Sequence, residues 1–319
     1  MKEININKID GLKVGNAEDR EGVTGCTVLL FDRMSPAGVD VRGGGPASRE
    51  TPLLAPVAAS EGINAVLLSG GSAYSLDAAG GVMKYLEEKG QGFETGVRLV
   101  PLVCQSALFD LVIGDKKAHP DQALAYKACQ NAEALNYKDG NYGAGMGCTV
   151  GKFRGPEFAM KSGVGSYAIE VGDLKIGAVV ALNALGDIFD TKGNQIAGLL
   201  NDDKGSLGST VDLFTKTIDV NKDLFGGNTT IGAVITNGKF NKTEMNKIAS
   251  MAQNGLARSI NPVHTTADGD SVYGVSTGDV NADINGTGTL AAMVMSKAIE
   301  RAVKAAEGIC GYKAHKDIF

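Results

Sequence analysis

The run Gly226-Gly227-Asn228-Thr229-Thr230 leads directly into an apolar, β-rich segment, Thr229 to Thr236 (TTIGAVIT). A threonine held at the start of a rigid strand, just after a glycine-rich turn, can attack the carbonyl that precedes it. The peptide bond then rearranges to an ester, and water releases Thr229 as a new N-terminus. Its hydroxyl becomes a nucleophile whose own α-amine serves as base. An α-amine ordinarily titrates at about 7.7–8.0, so part of it is neutral near physiological pH. The competing reading, and the one the local sequence alone favours, is a plain turn into a strand. A second cluster is Asp268-Gly269-Asp270, just before the strand-like Ser271 to Ser276. Residues two apart in an extended chain point to the same side, so both carboxylates can serve one site, with Gly269 admitting a close neighbour. The competing reading is a surface turn.

The rest of the composition narrows the chemistry. The 319 residues include three histidines, His119, His264 and His315, and His264 lies near the acidic pair without a required role. Five cysteines, Cys26, Cys104, Cys129, Cys148 and Cys310, form no C-x-x-C pair and read as buried reduced thiols. A histidine-rich zinc site is not expected. A net charge of −5, from 36 acidic and 31 basic residues, argues against a nucleic-acid or membrane-surface partner. Met1 to Asp10 is polar, without the apolar stretch of a secretory signal, and no run reaches the roughly 18 apolar residues of a membrane span. A cytoplasmic protein is expected, and the Asn228-Thr229-Thr230 glycosylation sequon is set aside. The 44 glycines are roughly twice the usual share of about 7% and imply tight turns or close backbone approaches.

Several motifs fail on inspection. Gly143 to Gly147 followed by Lys152 imitates a phosphate loop, but Met146 and Phe153 stand where Gly and Ser/Thr are needed. Asp279, Asn281, Asp283 and Asn285 imitate a calcium loop, but the glycine falls one residue late, at Gly286, and Leu290 replaces the final Glu.

These residues must be positioned by an α/β framework. Strands are expected at Gly25 to Phe31, Gly38 to Arg42, Asn64 to Leu68, Val164 to Val171, Lys175 to Leu182, Thr229 to Thr236 and Ser271 to Ser276. Helices are expected from Ala73 to Lys89 with Leu76, Ala79, Met83 and Leu86 inward, after His119-Pro120-Asp121, after an Asn241/Glu244 capping box, and from Leu290 to Glu307. Asp202 to Gly227 reads as a polar excursion with weak helical content. With no linker or repeat, one domain spanning 1–319 is expected.

Taken together, the motifs resemble a known family. Gly43 to Thr51 (GGGPASRET), Ser69 to Ala79 (SGGSAYSLDAA), Gly143 to Lys152 (GAGMGCTVGK), Asn228 to Asn237 (NTTIGAVITN), Gly255 to Arg258 and Asp268 to Asp270 are similar, in order along nearly the whole chain, to segments of the P1 family of peptidases. This is the L-aminopeptidase/D-esterase (DmpA-like) family, peptidase family S58. The resemblance implies an αββα sandwich of the DmpA/ornithine-acetyltransferase type and a self-cleaving N-terminal-nucleophile amidohydrolase. It implies cleavage between Asn228 and Thr229, giving associated chains 1–228 and 229–319, and a homotetramer. Thr229 aligns as nucleophile. Many members carry Ser there and a Ser/Glu pair downstream; Thr229 with Asp268 and Asp270 is instead similar to the 6-aminohexanoate-oligomer (nylon oligomer) hydrolases.

By the same resemblance Lys152 and Asn183 enter the site, Asn183 at a strand end where its amide can stabilise an oxyanion, and Lys152 as a cation. Without the resemblance they read as a turn residue and a solvated lysine. Neither metal nor organic cofactor is implied. The substrate is expected to be a small peptide or amide, with D-, β- and ω-amino acid compounds in range. Two rival readings are an ornithine-acetyltransferase-like acyltransferase and a non-enzymatic calcium- or ligand-binding protein built on Asp279 to Asn285.

Overall fold

The computed structural model describes residues 1–218 and 227–319; Gly226, proposed for the turn before Thr229, lies outside them. The principal elements in chain order are strands β1 (Lys2–Ile4), β2 (Leu12–Asp19), β3 (Thr24–Ser35), β4 (Ala37–Val41), β5 (Ala47–Arg49) and β6 (Ile63–Ser69), helix α1 (Ala79–Glu88), strand β7 (Val103–Ala107), helix α2 (Gln122–Glu133), strands β8 (Val164–Val171), β9 (Leu174–Asn183) and β10 (Thr229–Gly238), helix α3 (Lys242–Ser259), strand β11 (Ser271–Val280) and helix α4 (Ile284–Lys304). One sheet runs β1-β8-β9-β10-β11-β4 and the other β2-β3-β6-β7-β5.

The two sheets stack, and helices cover both outer faces. Between the sheets lie Leu29, Phe31, Val66 and Leu68 of one and Val179, Ala181, Ile231, Ala233, Ile235 and Tyr273 of the other. On the outer face of the six-stranded sheet, Ile176, Ala178, Val180, Leu182, Val234 and Val272 pack with Met245, Ile248, Ala252, Leu256 and Ile299 of α3 and α4. Helices α1 and α2 cover the opposite sheet over Val28, Leu30, Ala65 and Leu67. This is the expected αββα sandwich. It explains why β9 and β10 read as continuous apolar runs: alternate residues face different cores, and both cores are dry.

The boundaries show which local signals were sufficient. The capping box at Asn241 starts α3 as expected, and its four expected inward residues are fully buried. Helix α4 begins earlier than Leu290, because the Asp283 side chain caps it by accepting from Gly286 N at 2.7 Å. The calcium-like segment is therefore a strand end, a helix cap and a first turn, with Asp279 paired to Arg33 at 3.1 Å. Ahead of α1, Ser72–Asp77 forms a 3-10 turn, and the buried face of the helix is Ala79, Val82, Tyr85 and Leu86, with Leu76 and Met83 left partly exposed. The tighter turn shifts the phase of the stripe. Within the polar excursion a short helix spans Thr210–Lys216. Cys26, Cys104, Cys129 and Cys148 are buried free thiols, whereas Cys310 is exposed. No helix among the described residues is long and apolar enough to cross a membrane.

Close approach accounts for part of the glycine excess. A Cβ on Gly165 of β8 would lie 2.2 Å from Ala298 O and 2.4 Å from Ala302 N of α4. A Cβ on Gly15 of β2 would lie 2.3 Å from Ala132 N of α2. Helix backbone rests on sheet backbone at both points. Gly165→Val should therefore lose on the order of 3 kcal/mol by forcing α4 outward; urea melts with the midpoint compared to wild type check this.

Candidate active site

Thr229 opens β10, the strand between β9 and β11, and its Cα partner across the β9 ladder is Asn183, the last residue of β9. Strand alternation puts Thr229 on the same face as Ile231, Ala233 and Ile235, and Asn183 on that of Ala181 and Val179, so both side chains project toward the second sheet. On the other flank Asn228 bridges Asp268 in parallel. Asn183 is fully buried, and Thr229, Asn228, Asp268 and Asp270 nearly so.

The carbonyl of Asn228 is the centre of this arrangement. It accepts from Gly269 N at 2.9 Å and from the Thr229 hydroxyl itself. The hydroxyl thus rests against the carbonyl it would attack, and a backbone N–H already points at the oxygen that would become negative. A Cβ on Gly269 would stand 2.8 Å from Thr229 Oγ1 and 2.8 Å from Gly45 O. Gly227, at φ +73°, completes the approach: a Cβ there would overlap the Phe109 ring at 1.9 Å.

Lys152 and Asn183 hold the adjacent peptide. The Lys152 ammonium donates to Asn183 Oδ1 at 2.8 Å, Asn183 O at 3.0 Å and Gly227 O at 2.9 Å. Burial draws its pKa down to about 7, although the charges of Asp268 and Asp270 pull the other way. Gly151, at φ +73°, delivers Lys152 into this position as the chain turns out of the Gly143 to Gly147 segment. The Asn183 amide donates to Phe109 O at 2.9 Å and to Gly227 O at 3.4 Å, while its Oδ1 also accepts from Thr149 N at 3.1 Å. In the continuous chain both residues therefore grip the carbonyl one peptide before the Asn228–Thr229 bond.

The acidic pair is brought to the same place but serves other donors. Asp270 Oδ1 accepts from Thr230 N at 2.7 Å, and its Oδ2 faces His264 Nδ1 at 2.9 Å. Asp268 Oδ2 accepts from Thr265 N at 2.8 Å and from the Thr265 hydroxyl at 2.5 Å. Burial, and then the neighbouring Asp270 charge, raise the Asp268 carboxyl above its ordinary range. Gly269 has the parity of Tyr273 and Val275, on the same face as Thr229, whereas the two aspartates have that of Val272. The glycine between the acids, rather than either acid, lies against the threonine side chain. The run Gly43 to Gly45 lies along this loop backbone to backbone, with Gly43 N donating to Asp270 O and Gly45 N to Asp268 O.

Sequence reasoning had missed the Gly269 N–H, Phe109 and His264. Only His264 carried a signal, its nearness to the acidic pair. A cleft of about 150 Å³ opens beside the cluster, walled by Ala47, Ser72, Ala107, Phe109, Thr266 and Ala267 together with Asn228 and Thr229. Larger hollows, such as one of about 370 Å³ beside Lys84 and Arg98, are lined by none of these residues. Buried polar atoms with no partner among the described residues gather here as well: Asn228 Oδ1, Thr230 Oγ1 and His264 Nε2.

Comparison with known proteins places the chain. The family model described as peptidase family S58 matches residues 5–317. An uncharacterized aminopeptidase of Mycobacterium leprae is 34% identical, over 98% of this chain and 94% of the relative. A 6-aminohexanoate-oligomer endohydrolase of a Kocuria species is 30% identical, over 92% of this chain and 84% of the relative. The solved L-aminopeptidase D-Ala-esterase/amidase of Ochrobactrum anthropi, described as a variant of the Ntn hydrolase fold, superposes with a TM-score of 0.70 at 18% identity, covering 98% of this chain and 91% of that one.

The contact at Gly269 yields a prediction. Gly269→Ala should leave the chain uncut between residues 228 and 229, or slow that cut by at least about 100-fold, since one displaced donor is worth 10²–10³ in rate. Denaturing mass spectrometry over time, beside a thermal melt to verify folding, measures it.

Proposed function

The chain belongs to peptidase family S58 and is a hydrolase of amide bonds, and from that premise we propose that it is a self-processing amidohydrolase with Thr229 as its N-terminal nucleophile. The observation that carries this reading is the Thr229 hydroxyl lying against the Asn228 carbonyl, whose oxygen is already held by Gly269 N–H.

In the self-cleavage, Thr229 Oγ1 bonds to the Asn228 carbonyl carbon and the C–N bond to Thr229 breaks. The hydroxyl proton ends on the departing nitrogen, which becomes the α-amine. Gly269 N–H supports the oxyanion between these events. Water hydrolyses the resulting ester, leaving the Asn228 carboxylate and a free Thr229. The same hydroxyl, with its amine as base, then attacks a substrate amide. Scission frees the Gly227 carbonyl to withdraw, which returns the Asn183 amide and the Lys152 ammonium to the site as donors for the substrate oxyanion. Asp268 and Asp270 place negative charge beside the new amine.

Among the described residues the cleft walls carry no charged side chain, which suits a slender, uncharged acyl chain. With the names of the relatives, this supports small peptides or linear amides, including 6-aminohexanoate oligomers, as substrates. On the same reading the two pieces stay associated as one domain within a cytoplasmic homotetramer.

Denaturing mass spectrometry should find fragments 1–228 and 229–319. Thr229→Ala should remain one chain and be inactive against a panel of L-, D- and β-amino acid nitroanilides and 6-aminohexanoate oligomers. A wholly uncut preparation with full activity would sink the proposal.

The pH dependence follows from two groups. The Thr229 amine works when neutral, and the neutral fraction of an ordinary α-amine grows as pH rises toward about 8. The Lys152 ammonium works when charged, and with its pKa drawn down to about 7 it is lost as pH rises. A bell-shaped kcat profile centred between about pH 7 and 8 is expected. Lys152→Arg, whose guanidinium does not titrate, should flatten the alkaline limb in whatever activity it retains. An unchanged limb in that variant would assign the limb to another group.

A further inference from the structure

His264 is the residue of this cluster that neither the sequence motifs nor the proposed mechanism employs. Its side chain is only 15% exposed and that of Asp270 1%. Two of its groups meet the same carboxylate oxygen: the backbone N–H at 3.2 Å and the ring Nδ1 at 2.9 Å from Asp270 Oδ2. An ionised carboxylate only accepts, so Nδ1 carries the proton. The backbone is held for this purpose in the left-handed region, at φ +59°, which is uncommon for a residue with a side chain. With Oδ2 fixed, Oδ1 is left to accept from Thr230 N at 2.7 Å.

The consequence is directional. In the continuous chain, Thr229 is anchored to the 268–270 loop on both sides, through Asn228 O to Gly269 N before it and through Thr230 N to Asp270 after it. Once the Asn228–Thr229 bond is cut, the first anchor belongs to another chain end. The link from Thr230 to Asp270 is then what ties the new N-terminal residue to this loop. We infer that His264 is a positioning residue for amide hydrolysis, which locks the Asp270 carboxylate so that Thr230 N–H, and with it the free Thr229 nucleophile, stays aligned after self-cleavage. This rests on the Thr229 reading above and adds a residue to it. His264 touches neither the reacting carbonyl nor the hydroxyl; it acts through Asp270, as outer groups do for the residues they orient.

The test separates a hydrogen-bonding role from bulk packing. Asn offers an N–H donor at the same distance from the backbone as Nδ1 and tolerates the left-handed conformation, whereas the Gln donor is one bond further out. With the cleaved wild type as reference, His264→Ala should lower kcat for a cleavable nitroanilide by about 30-fold with KM little changed, while self-cleavage slows by no more than about 3-fold. His264→Asn should recover kcat to within about 3-fold of wild type, and His264→Gln should behave like Ala. Should His264→Ala fail to fold, the Asn and Gln pair decides alone. Equal activity of Asn and Gln variants, or a folded Ala variant with wild-type kcat, overturns the assignment. A wild type that neither cuts itself nor hydrolyses amides instead overturns the Thr229 reading, so the two failures are distinguishable.

Discussion

The contact on which the site depends is the hydrogen bond from Gly269 N to the Asn228 carbonyl, made where no side chain intervenes. It sets the register between the start of β10 and the loop before β11, and thereby fixes where the Thr229 hydroxyl can lie. Strand alternation does the rest. Gly269 shares the face of Thr229, so the hydroxyl fills the space a Cβ would take, while the flanking aspartates turn to the other face. A one-residue slip between these segments would exchange glycine for an aspartate beside Thr229 and reverse every contact. Both faces of β10 and β11 are apolar, so size rather than polarity resists the slip: Gly274 lies so close to α3 that a Cβ there would stand 2.7 Å from Met245 O.

That geometry costs buried charge. Asp268 and Asp270 stand in a low-dielectric interior and Lys152 lies half-buried at its edge, where an unpaired ion is strongly disfavoured. Each is compensated by local donors or acceptors rather than by one clean ion pair. Lys152 has three carbonyl oxygens, Asp270 has Thr230 N–H and His264, and Asp268 has Thr265. The compensation is incomplete, which is why burial draws the lysine down and pushes the Asp268 carboxyl up. A packing-only role gives no reason to place three ionisable groups within one cluster. Poised proton affinities are useful to acyl transfer, and this is where the fold departs furthest from the economy of its cores.

The sandwich was legible because its strands obey simple rules. β9 and β10 are continuous apolar runs, α3 carries a full capping box, and the ordered motifs supplied the layer arrangement that periodicity alone does not. Thr229, Asn183, Lys152, Asp268 and Asp270 converge as the motifs implied, although they are scattered over 119 positions of the chain. What stayed hidden were partners that have no side-chain signature. The Gly269 N–H is backbone, and Phe109 enters through its carbonyl and through a ring that touches a glycine. His264 was visible as a residue but not as a role, because its backbone must adopt a positive φ before its ring can reach Asp270. The start of helix α4 is obscured in the sequence because its cap, Asp283, belongs to the calcium-like series.

The position of the proposed cut follows from the same architecture. The Asn228–Thr229 bond lies at the very edge of the β9–β10 ladder, whose register runs unbroken from Asn183 opposite Thr229 to Ile176 opposite Thr236. On the far side β11 pairs with β4 from Ser271 opposite Val41 to Val275 opposite Ala37. The piece beginning at Thr229 therefore keeps β10 and β11 clamped between strands of the first piece, while α3 and α4 cover the outer face of the sheet that both pieces build. Scission there frees an amine and a carboxylate without opening a core. A cut a few residues later would instead break the ladder that positions Thr229.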